Sequence, residues 1–183
     1  MNEKNFIKIK RYFTAITAMA IWALLAWNHY HGGVQSHHIL ANKELPSISN
    51  GWGAVLLPLL TWYLLYRIQK RAFHKQDGPA PASKILINGL YGWTGALLFG
   101  MLLSAFFTFG YADVCGYMIV GLLSLACFFP IYRAECLLGF VMGMTFTFGA
   151  VLPTGVGIIL GLMGLVLYLS IQAGIHYTRS KFA

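Results

Sequence analysis

The sequence predicts an all-α integral membrane protein, built as a six-transmembrane-helix bundle. Of its 183 residues, 58% are hydrophobic and only 10% are charged, whereas about a quarter of the residues of a soluble domain are charged. The mean hydropathy is +0.66. The apolar residues also gather into six stretches near the length of about 20 residues that crosses a bilayer. Little sequence is left over, so residues 1–183 are predicted to form a single membrane domain.

The first two predicted spans each carry a local signal. Tyr12–Trp27 follows a basic stretch, and no small-residue cleavage pattern comes after it, which favours an uncleaved signal anchor. Trp52–Tyr66 contains Pro58, which should kink the helix and leave a backbone carbonyl without its helical partner. Tight turns separate the other four spans, which therefore should pair as antiparallel hairpins. These spans are Ile85–Phe109, Val114–Ile131, Cys136–Leu152 and Val156–Tyr177.

The last two hairpins resemble each other. Aligning Gly100 with Gly139 also aligns Phe107-Thr108-Phe109-Gly110 with Phe146-Thr147-Phe148-Gly149. Both segments would enter the membrane from the same side, which predicts a parallel repeat of spans three and four by spans five and six. The alternative is a chance match, because Phe, Gly and Thr are common in membrane helices.

The basic residues predict the orientation. The net charge is +8, and with six spans all thirteen Lys and Arg residues except Lys43 fall on one side. Such residues favour the cytoplasmic side, so both termini are predicted to be cytoplasmic, in a bacterial-type inner or plasma membrane. We therefore interpret the charge as orientation and attraction to anionic lipid of the bilayer, with no nucleic acid as partner.

Two longer connections flank the second span. The inner basic linker, residues 67–84, ends in a flexible Gly- and Pro-rich stretch. The outer loop, residues 28–51, is rich in histidine, a common nitrogen ligand of transition metals. The sequence therefore predicts an extracytoplasmic site for zinc, copper or iron in this loop. The predicted metal ligands are His29, His31, His37 and His38.

The backbone conformation decides whether these histidines converge. On an extended segment His29 and His31 would face one side, whereas on a helix they would diverge by about 200°. Gly32-Gly33 should end the helix and let the chain fold back. Two other interpretations are open. Such residues are also typical of the membrane interface, and a histidine cluster can sense protons.

Three functions follow from this sequence. The first is metal binding or a metal-dependent reaction on a lipid or interfacial substrate, in which Asp113 or Glu44 is the candidate catalytic base. The second is an oligomeric channel or small-solute transporter gated by protonation of the outer histidines. The third is an accessory membrane subunit without chemistry of its own. Whether the protein is an enzyme is left open.

Few polar residues lie inside the spans, which argues against a proton-coupled pump. Arg133 is expected to pair with lipid phosphate or with Glu135, and His74 and His176 are expected to be solvated. Small-residue spacings at Gly139/Gly143 and Gly157/Gly161 predict close helix packing, either within the bundle or between copies in a homo-oligomer.

Overall fold

A computed structural model describes residues 2–31, 36–38, 47–74 and 81–182, with the backbone alone for 36–38, 47–48 and 176–182. Six α-helices account for nearly all of these residues. A three-residue 3-10 turn, Asn50–Trp52, precedes the second helix, and a π-helical turn, Lys70–His74, follows it. The helices are α1 Glu3–Tyr30, α2 Gly53–Gln69, α3 Ala82–Thr108, α4 Ala112–Ala126, α5 Ala134–Phe148 and α6 Val151–Phe182.

Each helix overlaps one predicted span, and the order is the same. Three of them are long and apolar enough to cross a membrane: α1, α3 and the Val151–Ile175 part of α6. These three helices indicate association with a membrane. The boundaries differ most at α1, which begins at Glu3 rather than Tyr12, because the basic stretch before the apolar run is also helical.

The outer loop contains two strands that the sequence did not predict. β1, Ser36–His38, and β2, Ser47–Ser49, pair antiparallel, with His37 opposite Ile48. The helical fold class is otherwise confirmed within the part of the chain that the structure describes. Strands of three residues give too short an alternation of polar and apolar positions to be recognised in a sequence.

Helix α5 lies at the centre of the bundle, and α3 packs along it in the same direction. A Cβ atom added at Gly139 would collide with the carbonyl oxygen of Trp93, and one added at Gly143 would collide with that of Leu97. Gly100 of α3 approaches the carbonyl oxygen of Phe140 in the same way. Glycine thus lets the two backbones meet, as expected for close helix packing in lipid.

The glycine spacings therefore serve packing within the chain, one of the two alternatives that the sequence left open. Gly157 packs against the side chains of Leu137 and Phe140. Gly161 is less closely packed, because a Cβ atom added there would have its nearest neighbour, Tyr132, 4.0 Å away. Homo-oligomerisation through these faces stays a prediction.

Contacts between helices define the two ends of the bundle. Helices α1 and α2 are antiparallel: the rings of Phe6 and Phe73 lie 5.8 Å apart, and Trp22 contacts Ala54. At α5, Glu135 pairs with Arg71 of the π-helical turn. We call the end formed by residues 3–10, 67–74, 82–89 and 131–137 the basic end. The opposite end, formed by residues 27–31, 36–38, 47–54, 108–113 and 148–152, is the histidine end.

One of the two predicted consequences of Pro58, the open backbone carbonyl, is confirmed, and the kink stays a prediction. Proline has no N–H, so the carbonyl oxygen of Ala54, one turn earlier, has no partner within α2. The indole Nε1 of Trp22 donates a hydrogen bond to this oxygen over 3.0 Å. Helix α1 therefore satisfies the backbone acceptor that Pro58 leaves open.

Both turns of the proposed repeat contain a glycine with a positive φ angle. Gly110 and Gly149, which the alignment superposes, have φ angles of 83° and 71°. The next helices begin at the superposed residues Ala112 and Val151. The hydrogen bonds of the two turns differ, because the N–H of Gly110 donates to Phe107 and that of Gly149 donates to Thr145. The duplication itself stays a prediction.

Candidate functional site

At the histidine end, the structure separates the two described histidine side chains. His29 belongs to the last turn of α1, and His31 follows the helix. The His31 ring stacks on Trp27 with 3.9 Å between ring centroids, and its Nδ1 lies 3.0 Å from the Trp27 carbonyl oxygen. Both histidines are exposed. The helix therefore continues through His29 instead of giving the extended segment on which the two rings would face one side.

The other predicted ligands are described in part. His37 and His38 have backbone positions in β1, but their side chains lie outside the description, as does the whole of Glu44. Asp113 is exposed in the first turn of α4. Among the side chains that are described, no three His, Cys, Asp or Glu residues come together as metal ligands. The metal site and the catalytic role of Asp113 and Glu44 stay predictions.

A second group of polar residues lies at the basic end, where the sequence predicted no site. Gln69 accepts a hydrogen bond from Lys10 Nζ over 2.9 Å and donates one to Glu3 Oε1 over 2.8 Å. His74, which is exposed, has its Nδ1 3.6 Å from the same Glu3 oxygen. Lys10 Nζ also lies 4.3 Å from the centroid of Trp62. These contacts hold the first turns of α1 against the end of α2.

The π-helical turn carries the other polar contact of this end. Arg71 Nη2 donates to Glu135 Oε1 over 2.8 Å, and the side chains are 30% and 3% exposed respectively. The expected pairing of Glu135 with Arg133 is therefore replaced by an ion pair with a residue 64 positions earlier. π-Helical turns are frequent at functional sites. Here the turn holds the residue that meets the only carboxylate buried in the described helices.

Glu135 also borders a cavity, which we call the carboxylate cavity. Its volume is about 550 Å³, and residues of α1, α2, α3 and α5 line it as a groove that opens to the surface of the bundle. The lining is apolar apart from Ser83, Glu135 and the indole of Trp93. The apolar residues that line it are Phe6, Ile9, Phe13, Leu65, Ile68, Leu86, Ile87, Leu90 and Leu138.

Two polar atoms of this lining are buried without a hydrogen-bond partner in the described part of the chain: Glu135 Oε2 and Trp93 Nε1. The first is an acceptor and the second is a donor. Buried polar groups are nearly always hydrogen-bonded, and an exception requires an explanation. Glu135 and Trp93 both line the carboxylate cavity, and the protein covers these two atoms.

A second cavity, of about 680 Å³, lies between α3, α4, α5 and α6. Arg67 and Tyr63 border it, and Arg67 Nη1 donates to the Tyr63 hydroxyl over 3.2 Å. None of its described lining residues has a buried polar atom without a partner. It is larger than the carboxylate cavity, but no buried atom of its described lining calls for a ligand.

Sequence analysis did not identify Arg71, Trp93 or Glu135 as site residues. One signal was present, because Glu135 is one of only five acidic residues and directly precedes an apolar run. Its position at a helix end made it look like an interfacial residue. The partner Arg71 belongs to the basic linker, whose charge already had an explanation in membrane orientation.

Comparisons with protein families, with curated proteins and with solved structures found no match to this chain. We therefore infer function from the geometry of the two ends and of the carboxylate cavity.

Proposed function

We propose that this chain is a six-span membrane protein that binds an amphipathic, lipid-like molecule in the carboxylate cavity. The observation that carries the proposal is the buried Glu135 side chain, which lines an apolar cavity and whose Oε2 has no hydrogen-bond partner in the described structure. Burial of an unpaired acceptor is unfavourable, and a ligand that donates a hydrogen bond would offset this cost. The cavity volume lies within the range of about 300–1,000 Å³ of small-molecule sites.

The direction of the helices supports the six spans. Helices α3 and α5 run parallel, so α4 between them has to return to the basic end. Helices α1 and α2 are antiparallel, which gives the alternation that a bundle of six spans requires. Since the basic residues gather at one end, the positive-inside rule makes that end cytoplasmic. The carboxylate cavity would then lie at the level of the inner leaflet.

The route of entry follows from the rim of the cavity. Ile9 of α1 and Ile87 and Leu90 of α3 line the cavity and are themselves 49%, 53% and 60% exposed. In a membrane these residues would face lipid, so a lipid-like molecule reaches the cavity sideways without crossing water.

Photolabelling of the protein in liposomes tests this proposal. The probe is a monoacylglycerol with a diazirine in its acyl chain, and crosslinked peptides are located by mass spectrometry. We expect crosslinks in residues 6–13 and 83–93. Gly89→Leu should abolish most of these crosslinks, because Gly89 lines the cavity and a leucine side chain there would occupy it. A Cβ atom added at Gly89 would lie 3.9 Å from the side chains of both Arg71 and Glu135.

The matched control is Gly95→Leu, the same change on the same helix. Gly95 lines the 680 Å³ cavity instead, and a Cβ atom there would meet no atom within 4 Å. Crosslinks to residues 6–13 should persist in this variant. Equal labelling of these residues in wild type and Gly89→Leu would refute binding in the carboxylate cavity.

The predicted metal site is a second candidate function, and one observation favours it. The pairing of β1 with β2 brings the histidine segment back to the start of α2, at the same end of the bundle as His29 and His31. Elemental analysis of tag-free protein tests it. Near-stoichiometric zinc, copper or iron in wild type, and its loss on replacing all four histidines by alanine, is the expected result, and metal-free wild type would rule it out.

A further inference from the structure

The larger cavity, of about 680 Å³, combines a cationic end with an apolar body, and we call it the arginine groove. Its described lining reaches the basic end at Arg67, Ile131 and Tyr132, and none of it belongs to the histidine end. We propose that this groove binds an anionic phospholipid, whose phosphate meets Arg67 and whose acyl chain lies between α3, α4, α5 and α6. This site goes beyond the proposed function, because it uses a different cavity.

Arg67 supplies a positive charge that the described chain leaves uncompensated. Its Nη1 donates to the Tyr63 hydroxyl, which is a neutral partner. Neither ion pair among the described residues includes Arg67, and Glu135 is already bound to Arg71. A guanidinium has five N–H donors in a planar fork that matches a phosphate group, and Tyr63 occupies one of them.

Arg67 and Tyr63 are accessible to a ligand. Both residues line the arginine groove, and both are exposed. The Tyr63 hydroxyl accepts from Arg67 and still has its own proton to donate. A phosphate at this end of the groove can therefore accept from both side chains, and the bond from Arg67 would be a strong, charge-assisted one.

The body of the groove suits an acyl chain. Apart from Arg67, three tyrosines and Cys136, its described lining residues are apolar. Leu125, Phe129 and Leu162 line the groove and are exposed, so in a membrane they would face lipid and let a chain enter sideways. Since the bilayer core holds no water, a lipid chain would fill such an opening, and the head group then decides which lipid is bound.

The charge of the lining favours an anionic lipid over a zwitterionic one. No Asp or Glu is among the described lining residues, so the groove carries the charge of Arg67 alone. The phosphate of phosphatidylglycerol neutralises this charge, whereas the ammonium of phosphatidylcholine would add a second positive charge without a partner. In the proposed six-span orientation the basic end lies in the cytoplasmic leaflet, where basic pockets between helices bind anionic head groups.

Native mass spectrometry of the delipidated protein in detergent tests the head group. The probes are phosphatidylglycerol and phosphatidylcholine with identical acyl chains, and we expect wild type to bind the first severalfold more tightly. Arg67→Gln should weaken the binding of phosphatidylglycerol about tenfold, because a hydrogen bond to a charged group is worth roughly one power of ten in affinity. Arg11→Gln is the matched control: it removes the same charge from an exposed arginine that lines neither cavity, and it should bind as wild type does.

Two leucine substitutions on α3 test the place of the acyl chain. Gly95 lines the arginine groove, and a Cβ atom there would meet no atom within 4 Å, so the side chain of Gly95→Leu would occupy the groove without a backbone collision. It should weaken the binding of phosphatidylglycerol, whereas Gly89→Leu, in the lining of the carboxylate cavity, should not. The two variants thus exchange the roles that they have in the photolabelling experiment. Persistent crosslinks to residues 6–13 in Gly95→Leu would show that this variant is folded.

The outcomes separate this inference from the proposed function. Equal binding of phosphatidylglycerol by wild type and Arg67→Gln would overturn the phosphate site, and equal losses in Arg67→Gln and Arg11→Gln would show a general attraction to the basic end instead. Unchanged binding in Gly95→Leu would overturn the place of the chain. Displacement of the lipid by soluble glycerol phosphate, which has no acyl chain, would identify a site for free phosphate and overturn the lipid as occupant. None of these results changes the labelling of the carboxylate cavity.

Discussion

Glu135 carries a charge and is only 2% exposed. Arg71 stabilises its Oε1, while Oε2 has no partner in the described structure. A buried ion pair contributes little net stability compared with apolar residues of the same volume, but loss of one partner leaves a buried charge uncompensated. A role in the proposed ligand binding would therefore explain the pair better than a contribution to folding.

Substitution of Arg71 tests this explanation. We expect Arg71→Met to lower the free energy of unfolding by about 3 kcal/mol, because it leaves the Glu135 carboxylate buried and unpaired. The double variant Arg71→Met/Glu135→Gln, in which both charges are gone, should recover most of this loss. Chemical denaturation in detergent measures both values. A double variant as unstable as Arg71→Met would show that the ion pair itself stabilises the fold.

The two positive-φ glycines offer a matched pair of substitutions. Gly110→Ala should cost about 1–2 kcal/mol, because a Cβ atom disfavours the left-handed conformation but meets no other atom within 4 Å. Gly149→Ala should cost more, since φ 71° with ψ −175° is a conformation that glycine alone adopts readily, and its Cβ atom would also collide with the side chain of Asn50. In the Gly149→Ala background, Asn50→Gly should recover only the part of the lost stability that comes from this collision. Equal costs at both glycines, measured by the same denaturation, would contradict the close approach of Asn50.

At the scale of the helices, Pro58 shows how one element satisfies another. The carbonyl oxygen of Ala54 would be an unpaired acceptor in α2, and Trp22 of α1 donates its indole N–H to it. In lipid an unpaired backbone group is costly. Trp22 is 57% exposed, so its fixed position depends on this hydrogen bond as well as on packing.

A double-mutant cycle between Trp22 and Pro58 measures the coupling. Trp22→Phe should lower the free energy of unfolding by about 1 kcal/mol. In a Pro58→Ala background the same change should cost much less, because residue 58 then supplies a helical N–H to the Ala54 oxygen. Trp27→Phe, at another exposed tryptophan of α1, is the control and should cost the same in both backgrounds. Equal costs of Trp22→Phe with and without Pro58 would contradict the assignment.

The sequence predicted the elements far better than their ends. Apolar runs located all six helices, and Pro58 leaves the Ala54 carbonyl oxygen without a helical partner, as predicted. The start of α1 was placed too late, because hydropathy marks the apolar part of a helix and not its polar first turns. The strands β1 and β2 were missed because their pairing joins segments separated by residues 39–46.

At the scale of the whole molecule, the site shows what the sequence could not predict. The clustered histidines stood out because they are neighbours in the chain, although the described structure does not bring His29 and His31 onto one face. Arg71 and Glu135 form an ion pair across 64 positions of the chain, and Trp93, on a third element, lines the same cavity as Glu135. A site of this kind depends on helix packing, which a single sequence records only as spacing between small residues.

The six-span topology is the property of the whole molecule on which both proposals depend, and α4 and α5 are its shortest helices. With 15 residues, α4 is about 22 Å long, shorter than the hydrocarbon core of about 30 Å.

Single cysteines in a variant lacking Cys115, Cys127 and Cys136 test whether α4 crosses. An impermeant maleimide should label Asp113→Cys in intact cells, and Arg133→Cys only after permeabilisation, because these positions lie at opposite ends of the bundle. His31→Cys, at the histidine end, and Lys70→Cys, at the basic end, test in the same way whether α2 crosses. Labelling of positions 113 and 133 from one side would mean that α4 does not cross, and the orientation inferred from the basic residues would then hold only for the helices before it.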